Sequence, residues 1–319
     1  MLTFDSATMD SAGAFLIGEL ERLDQQMHMP LAAVTWHRDI DPRTDVTIGD
    51  ELSSFTNSTF AAVGGTNPTG KAWIGKTATS MPDMQLDIGK TASPLNLWGM
   101  ALSYTLPELQ SAMQTGRPID SQKAEAIRLK YNMDIDQQVY TGDTDLNLYG
   151  LCNNPNVNTS NVANGASSSP LWSSKTPQEI LADVRSIEVD TWTNSGFAVA
   201  PRQILVPPVQ YVALLQPLTI GGATFASIAE YISKNSLCLE QNGVPLEIHP
   251  VKWLTGAGAG GTNRMVAYTR EYDKVRFPMT TMLTTPVQYQ GIWLHTNYYA
   301  RLGVVEAVYT ETISYRDGI

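Results

Sequence analysis

Cys152 carries the side chain in this sequence that could act as a catalytic nucleophile. It follows a turn, and histidines that could serve as its base occur at four other positions: His28, His37, His249 and His295. Families of cysteine enzymes mark the cysteine and its histidine with local signatures, and none of these four histidines stands in one. A small buried thiol is the more common role for such a cysteine. We therefore predict no catalytic residue, and a hydrolase that uses Cys152 remains an alternative function.

The glycine-rich residues 256–261 have the composition of a phosphate-binding loop. Such a loop follows a strand and opens a helix, and the nucleotide-binding form ends in Gly-Lys-Ser or Gly-Lys-Thr. Here strand-like residues stand on both sides, and that lysine is missing. We interpret the run as the flexible tip of a β-hairpin and predict no cofactor.

The sequence also lacks the spacing of a metal site, since it contains no His-x3-His, no Cys-x2-Cys and no aspartate-rich calcium loop. We predict no metal. Carboxylates do gather around the end of a long predicted helix, at Asp134, Asp136, Asp143 and Asp145. Acidic side chains are unfavourable beside the negative end of a helix dipole, so we expect a positive group to face them, such as an arginine of another subunit.

The composition is that of a globular protein. The chain has 319 residues, of which 43% are hydrophobic, and this length exceeds what one core usually supports, so we expect about two domains. No apolar run is long enough to cross a bilayer, and the N-terminus does not resemble a signal peptide, which predicts a cytoplasmic protein without membrane contact. Two cysteines fit a reducing compartment. A net charge of -10 without a basic cluster predicts weak contact with nucleic acid.

The longest uninterrupted helical pattern covers residues 118–140. Pro118 suits the first turn of a helix, Asp120 or Ser121 can cap it, and Gly142 can end it in the left-handed conformation. One apolar stripe contains Ala124, Ile127, Tyr131, Ile135 and Val139, and a second contains Ala126, Leu129, Met133 and Tyr140. Two stripes predict burial on more than one side. At about 1.5 Å per residue the helix spans roughly 35 Å and forms the spine of the fold.

Near the N-terminus, residues 11–27 predict an amphipathic helix. One face of this helix carries four apolar side chains, Leu16, Leu20, Leu23 and Met27. Charged side chains lie mostly on the other face. The helix must therefore lie on an apolar surface.

Residues 45–105 predict a long projecting arm. They are rich in Gly, Thr, Ser and Asn, and apolar residues alternate at 84–88 and again at 98–104, which predicts two strands that run out and back. An isolated strand pair is only marginally stable in water. Because Trp73 and Trp98 belong to this arm, we expect another molecule to cover it.

After a solvated loop at 153–175, the sequence predicts a compact α/β unit over residues 176–285. Thr176 and Glu179 form a capping box with proline at the first helical position, which predicts the start of a helix. Short helices and strands then alternate. Beyond residue 286 the chain returns to strands, which we expect to pair beside the spine.

The order of these elements resembles that of the major capsid proteins of tailed bacteriophages, whose fold is named after phage Hong Kong 97. The similarity is carried by the helix at 121–140, by its closing Gly142 and Asp143, and by the turn Tyr-Gly-Leu-Cys-Asn at 149–153. The resemblance implies an α+β protein with four parts: an N-terminal arm (1–44), an extended β-hairpin loop (45–105), a peripheral domain with the spine helix (106–175 and 286–319) and an α/β axial domain (176–285).

The resemblance implies a structural protein, not an enzyme, that self-assembles as hexamers and pentamers into an icosahedral capsid around double-stranded phage DNA. It implies separate scaffolding, portal and decoration proteins as partners, assembly in the host cytoplasm and a final place in the virion. An encapsulin-type nanocompartment shell is the main alternative, and a surface adhesin is disfavoured by the missing export signal. The predicted subunit-interface residues are Lys71, Trp73, Ile74, Lys76, Asp134 and Asp136.

Overall fold

A computed structural model describes residues 31–63, 76, 83–115, 119–220, 223–225 and 227–319. The helices are α1 (Trp36–Asp39), α2 (Leu106–Thr115), α3 (Ile119–Tyr140), α4 (Pro177–Asn194), α5 (Pro208–Leu214), α6 (Ile228–Lys234) and α7 (Leu237–Asn242). The longer strands are β1 (Asp41–Arg43), β2 (Leu52–Val63), β3 (Asp83–Pro94), β4 (Asn96–Thr105), β7 (Asn158–Asn161), β8 (Gln203–Val206), β9 (Leu218–Ile220), β10 (Ala223–Phe225), β11 (Glu247–Pro250), β12 (Arg264–Tyr268), β13 (Val275–Pro278), β15 (Gln288–Gln290), β16 (Trp293–Leu302) and β18 (Ser314–Asp317). Two-residue strands are β5 (Gly142–Asp143), β6 (Leu148–Tyr149), β14 (Leu283–Thr284) and β17 (Glu306–Ala307). The predicted helix at 11–27 and the loop residues Lys71, Trp73 and Ile74 lie outside the described residues.

Helix α3 is the predicted spine. The described part of this helix begins at Ile119; Pro118 and the side chains of Asp120 and Ser121 lie outside what the structure describes, so the predicted helix start stays a prediction. Gly142 follows the helix with φ of 65°, and a Cβ there would lie 2.2 Å from the Leu148 carbonyl oxygen. Both the backbone conformation and the available space therefore require glycine, as the stop signal predicts.

One apolar stripe of the spine is buried in the main core. Tyr131, Ile135 and Val139 pack in one cluster with Ala300 and Leu302 of β16. The second stripe differs along its length, since Tyr140 is fully buried, Leu129 is half-buried, and Ala126 and Met133 are exposed. The predicted burial on two sides therefore holds at the C-terminal end of the helix and fails in its middle.

The projecting hairpin consists of β2 and β3, so the strand pairing predicted for residues 45–105 is wrong. β2 pairs with β3 along their whole length, whereas β4, the predicted return strand, pairs antiparallel with β16. β2 mixes polar and apolar residues at both sets of alternating positions, and its residues 56–58 are exposed, so its sequence shows no strand alternation. The partner of β4 lies at the far end of the chain, where a local pattern cannot reveal it.

Trp98 on β4 is partly buried against its own chain, which the sequence did not predict. The ring centroids of Trp98 and Tyr131 lie 4.9 Å apart, and Trp98 Nε1 donates a hydrogen bond to Asp134 Oδ2 at 2.9 Å. A tryptophan with both its ring and its N–H satisfied fixes β4 onto the spine.

The α/β unit is built on a sheet with the order β11-β8-β12-β18-β7. Helix α4 starts with the predicted capping box of Thr176 and Glu179 and packs on this sheet through Ile180, Val184 and Ile187. Two strands come from outside the predicted unit, β7 from the solvated loop and β18 from the end of the chain. Both β16, through Ala300 and Leu302, and β18, through Tyr315, share the core cluster of the spine, as expected of the last strands, but the sequence did not predict that β18 pairs within the sheet of the α/β unit.

Residues 256–261 connect two strands that do not pair with each other, so the hairpin-tip prediction is wrong. β11 and β12 pair with opposite edges of β8, and the glycine-rich loop crosses between them. The loop is tied down, because the Ala259 N–H donates to Asp317 Oδ2 at 2.9 Å. A strand and not a helix follows it, so it lacks the helix N-terminus on which a phosphate-binding loop depends.

Glu188 on α4 is a carboxyl group buried without a full set of partners. The side chain is 3% exposed, and its Oε1 atom has no hydrogen-bond partner. Burial raises the pKa of Glu188 to about 7, and the nearby Arg185 offsets this only in part. The folded protein therefore holds this proton more tightly than the unfolded chain does.

We expect the Glu188→Gln variant to lose part of the pH dependence of stability. Because the folded pKa exceeds the ordinary value of 4.5, the contribution of Glu188 to the free energy of unfolding falls as pH rises from about 4.5 to about 7. The loss amounts to at most about 3 kcal/mol above pH 7. Denaturant unfolding of the unassembled subunit at pH 5 and pH 8 measures it, with the exposed Glu125→Gln as the control. Equal pH dependence in the wild type and Glu188→Gln would contradict the assignment.

Candidate assembly surfaces

The β2–β3 hairpin extends away from the body of the subunit. Residues 56–58 and 86–91 are exposed on both strands, and they include two large apolar side chains, Leu86 at 53% and Ile88 at 62% exposure. Leu86 and Ile88 alternate with Asp87, so they share one face of the hairpin. An exposed apolar face on an isolated strand pair is stabilised when another surface covers it.

The base of the hairpin is held by the buried carboxylate of Glu306. The side chain is 0% exposed and accepts hydrogen bonds from Arg276 Nε at 2.7 Å, from Arg43 Nη1 at 3.2 Å and from the Ser53 hydroxyl. Arg43 also donates to the Ser54 carbonyl oxygen at 3.2 Å. Two guanidinium groups therefore compensate one buried carboxylate and connect β2 to β13 and β17.

A second arginine fixes the other side of the hairpin base. Arg301 on β16 donates from Nε to the Ile48 carbonyl oxygen and from Nη1 to the Leu95 carbonyl oxygen, both at 2.9 Å. These acceptors precede β2 and follow β3, so one planar side chain spans both ends of the hairpin. The direction in which the hairpin projects is thus set by Glu306 and Arg301.

Asp136 lies inside the subunit, so its predicted role at a subunit interface is wrong. Its carboxylate is fully buried and accepts hydrogen bonds from the backbone N–H groups of Thr35 and Trp36, at 2.8 and 3.1 Å, and from Trp253 Nε1 at 2.7 Å. Lys252 Nζ lies 3.5 Å away. The expected positive group is present, and it comes from the same chain. Sequence spacing alone could not distinguish this residue from Asp134, two positions earlier.

The remaining acidic side chains border a concave surface at the end of the spine. Asp134 is one quarter exposed and binds Lys130 and Trp98 of its own chain. The concavity has a volume of about 340 Å³ and is lined by Asp134, Gln137, Gln138, Gly142, Asp143, Thr144 and Asp145. Lys76 in the hairpin loop is exposed, so it is accessible to another molecule. The sequence predicted a cluster of four acidic residues here, and the structure places three of them, Asp134, Asp143 and Asp145, around one concave surface.

Cys152 has the environment of a core residue. Its thiol is 0% exposed, and burial raises its pKa, which keeps it protonated and weakens it as a nucleophile. Cys238 is also buried, and both cysteines are free. Among the described residues, no group of three or more His, Cys, Asp or Glu side chains has the arrangement of a metal site. No helix in the described part of the chain is long and apolar enough to cross a membrane.

The sequence model of one family decides where this chain belongs. The model described as "Major capsid protein" matches residues 70–319. The chain belongs to the major capsid protein family. Its matched part includes β3, the spine, the α/β sheet, Glu306 and its partner Arg276, but not Arg43 or Ser53. No curated protein matches the chain closely enough to be counted as similar.

Solved structures show the same fold at low sequence identity. The capsid protein of Myoviridae phage XM1 superposes with a TM-score of 0.75 at 14% identity, covering 95% of this chain and 98% of that one. A protein from the capsid of a native GTA particle superposes with a TM-score of 0.62 at 12% identity, and the match covers 99% of each chain. The SrpI encapsulin of Synechococcus elongatus PCC 7942 superposes with a TM-score of 0.52 at 12% identity, and the match covers 100% of this chain and 96% of that one. The fold is therefore the predicted Hong Kong 97-type α+β fold, and this capsid protein is more similar to the phage shell than to the encapsulin.

The sequence did not reveal the anchors of the hairpin in this capsid protein. Glu306 and Arg43 stand more than 250 positions apart and belong to no motif, so their ion pair exists only once the chain has folded. One sequence feature could have pointed to this ion pair. Glu306 is the charged residue in the otherwise apolar run 302–308, and a charge that is buried in such a run requires a partner.

Proposed function

We propose that this protein builds the head shell of a tailed bacteriophage, as hexamers and pentamers around double-stranded DNA. The observation that carries this function is the rigidly anchored hairpin whose exposed apolar face projects from the body. A head-to-tail contact of such a hairpin with a neighbour generates rings and closed shells. The net charge of -10 supports a wall that binds packaged DNA weakly. Scaffolding, portal and decoration proteins are the further partners, and assembly takes place in the host cytoplasm.

The hairpin tip of one copy contacts the acidic end of the spine of its neighbour. Lys71 and Lys76 supply positive charge, and Trp73 and Ile74 supply apolar contact area, which often dominates the energy of an interface. The complementary surface is the concavity that contains Asp134, with Asp143 and Asp145 in place of the buried Asp136. The charges of the two surfaces are opposite, which favours the correct register of docking.

Electron microscopy of the purified protein tests the shell function. Expressed with the scaffold of its phage, the protein forms closed particles, and cargo-free particles that package DNA distinguish a phage head from an encapsulin. A protein that stays monomeric at high concentration in the presence of the scaffold would refute the shell function.

Charge reversal tests the proposed pair of surfaces. Asp145→Lys leaves the subunit folded, because Asp145 is exposed, but lowers the yield of shells since the substitution removes a negative charge and places a lysine opposite the lysines of the hairpin tip. Lys76→Glu in the same chain restores part of that yield. Glu240→Lys on α7 is the matched control and leaves assembly unchanged. If Asp145→Lys assembles as well as the control does, the acidic concavity is not the docking surface for the hairpin.

A further inference from the structure

The turn that ends helix α4 displays an aromatic side chain on the surface. Phe197 is 58% exposed, although its ring meets the ring of Trp192 with the centroids 4.8 Å apart and the planes at 80°. Aromatic side chains dominate the energy of many interfaces because they bury a large area when they are covered. An aromatic ring that stays mostly in solvent is therefore a candidate anchor for another molecule.

The end of the helix does not by itself account for the backbone conformation of Phe197. The Gly196 N–H donates to the Thr193 carbonyl oxygen at 3.0 Å, and the Phe197 N–H donates to the Trp192 carbonyl oxygen at 2.8 Å, which is a Schellman motif. This motif requires the left-handed conformation only at Gly196, where φ is 67°. Phe197 nevertheless has φ of 64°, which is unfavourable for a bulky residue. Such conformations concentrate at functional sites.

A pocket with a largely apolar lining lies directly beside Phe197. It has a volume of about 280 Å³, and its lining includes Ala198, Val199 and Tyr309. Phe197 is not among the lining residues in the part of the chain that the structure describes, so its ring does not fill the pocket of its own chain. A cavity of about 150 Å³ is enough to bind benzene, so this pocket has room for one aromatic ring.

The surface around the ring and the pocket is nearly free of uncompensated charge. Residues 191–201 contain no charged side chain, and Glu311 at the pocket is exposed to solvent. The other charges at its border are paired within the chain: Asp190 with Arg316, and Arg202 and Lys274 with Glu271. Because the net charge of the chain is -10, two copies repel each other, and this repulsion is weakest across an uncharged surface. The surface therefore suits a second copy better than a strongly charged partner.

We propose that two copies of this chain dock about a twofold axis, with the Phe197 ring of each copy in the pocket of the other. A ring and a pocket that lie side by side on one subunit form a self-complementary surface. A rotation of 180° about an axis between them places each ring opposite the pocket of the other copy. Each ring then loses its exposure and packs against Val199 and Tyr309 of the other copy.

This contact differs from the head-to-tail contact of the hairpin. An isologous contact joins two subunits and closes on itself, whereas neighbours in a cyclic ring meet through heterologous contacts. In a shell, the Phe197 contact therefore links subunits of two different rings. The inference does not rest on the proposed function, because the pair forms whether or not a closed shell does.

Photocrosslinking from position 197 of the full-length protein tests the inference. Subunits that carry p-benzoylphenylalanine in place of Phe197 are prepared with and without heavy isotopes, mixed, concentrated until they assemble and irradiated. A cross-link between a heavy and a light peptide comes from two different chains. We expect such mixed cross-links between residue 197 and the peptides that contain residues 198–199 or 309–312. The same photoreactive residue in place of Val209, which is 76% exposed, is the control and gives none of them.

A substitution in the pocket provides the second arm of the experiment. Tyr309→Glu leaves Phe197 unchanged and places a charge where the ring docks, so we expect the yield of mixed cross-links to fall at least about tenfold. Tyr289→Glu is the matched control, since Tyr289 is also exposed, and it leaves the yield unchanged. Equal yields in these two variants would overturn the proposal.

Three further outcomes of the photocrosslinking would overturn the twofold contact. They are cross-links from residue 197 within one chain only, mixed cross-links only to residues outside the pocket, and no cross-link in a folded protein. If the photoreactive residue impairs folding, sedimentation equilibrium of Phe197→Ala replaces it. We expect dimers of Phe197→Ala to dissociate at least about tenfold more readily than those of the control Val209→Ala, and equal dissociation of the two variants would contradict the contact.

Discussion

Asp136→Ala is expected to destabilise the unassembled subunit by about 3 to 5 kcal/mol, the usual cost of removing one partner from a buried charge pair. The Asp136 carboxylate is fully buried, and its loss leaves the backbone N–H groups of Thr35 and Trp36 and the Trp253 indole N–H without their acceptor. Lys252 loses its counter-charge as well. Denaturant unfolding of the subunit, followed by tryptophan fluorescence, measures the change because Trp36 and Trp253 both belong to this cluster.

Asp134→Ala is the matched control, since it removes the same group from the same helix two residues earlier. Its side chain is one quarter exposed and its ion pair with Lys130 is partly solvated, so the expected loss is about 1 kcal/mol. Asp136→Asn should fall between the two, because the amide still accepts one hydrogen bond but places a donor opposite another donor. Similar losses for Asp134→Ala and Asp136→Ala would show that the burial of Asp136 has no energetic consequence.

Glu306→Gln is expected to cost about 3 kcal/mol of subunit stability and to loosen the base of the hairpin. The substitution keeps the shape of the side chain but removes the negative charge that compensates Arg43 and Arg276, and it weakens the bond to Ser53. Amide hydrogen exchange should accelerate at residues 48–54 and 92–95. The sheet β11-β8-β12-β18-β7, on which α4 packs, should stay protected. Shell yield should fall, because a hairpin without a fixed direction meets its neighbour less often in the correct orientation.

Asp45→Asn separates this effect from a general weakening of Arg43. Asp45 binds the same guanidinium group, but its side chain is 59% exposed, so its removal should cost less than about 1 kcal/mol and leave hydrogen exchange at the hairpin base unchanged. If Glu306→Gln and Asp45→Asn give the same exchange pattern, Glu306 does not set the direction of the hairpin.

The sequence patterns whose structural predictions were confirmed each involve residues close together in the chain. The capping box at Thr176 and Glu179 starts α4, and Gly142 ends the spine, because each requires only a few neighbouring residues to adopt one backbone conformation. The buried stripe of the spine followed in the same way from a helical period. These local signals and the order of the elements were enough to indicate the capsid fold, which the family match then established.

The candidate assembly surfaces were predicted less completely. The acids at the end of the spine were recognisable as a cluster, but the sequence could not show that Asp136 points into the subunit while Asp143 and Asp145 border a concave surface. Successive positions on a helix differ by about 100° in direction, so the neighbours that cover each one decide its role. Those neighbours come from residues 35–36 and 252–253, far away in the chain.

By itself, then, the amino-acid sequence determined where the spine and α4 lie and that an arm projects before the spine. The tertiary structure decided which strands form that arm, since β2 shows no regular alternation of polar and apolar residues and β4 pairs with a strand almost 200 positions away. It also decided that β18 joins the sheet of the α/β unit and that Glu306 holds the hairpin base. Strand pairing and buried ion pairs depend on which distant segments meet, and that is settled by the burial of the whole chain and not by any local pattern.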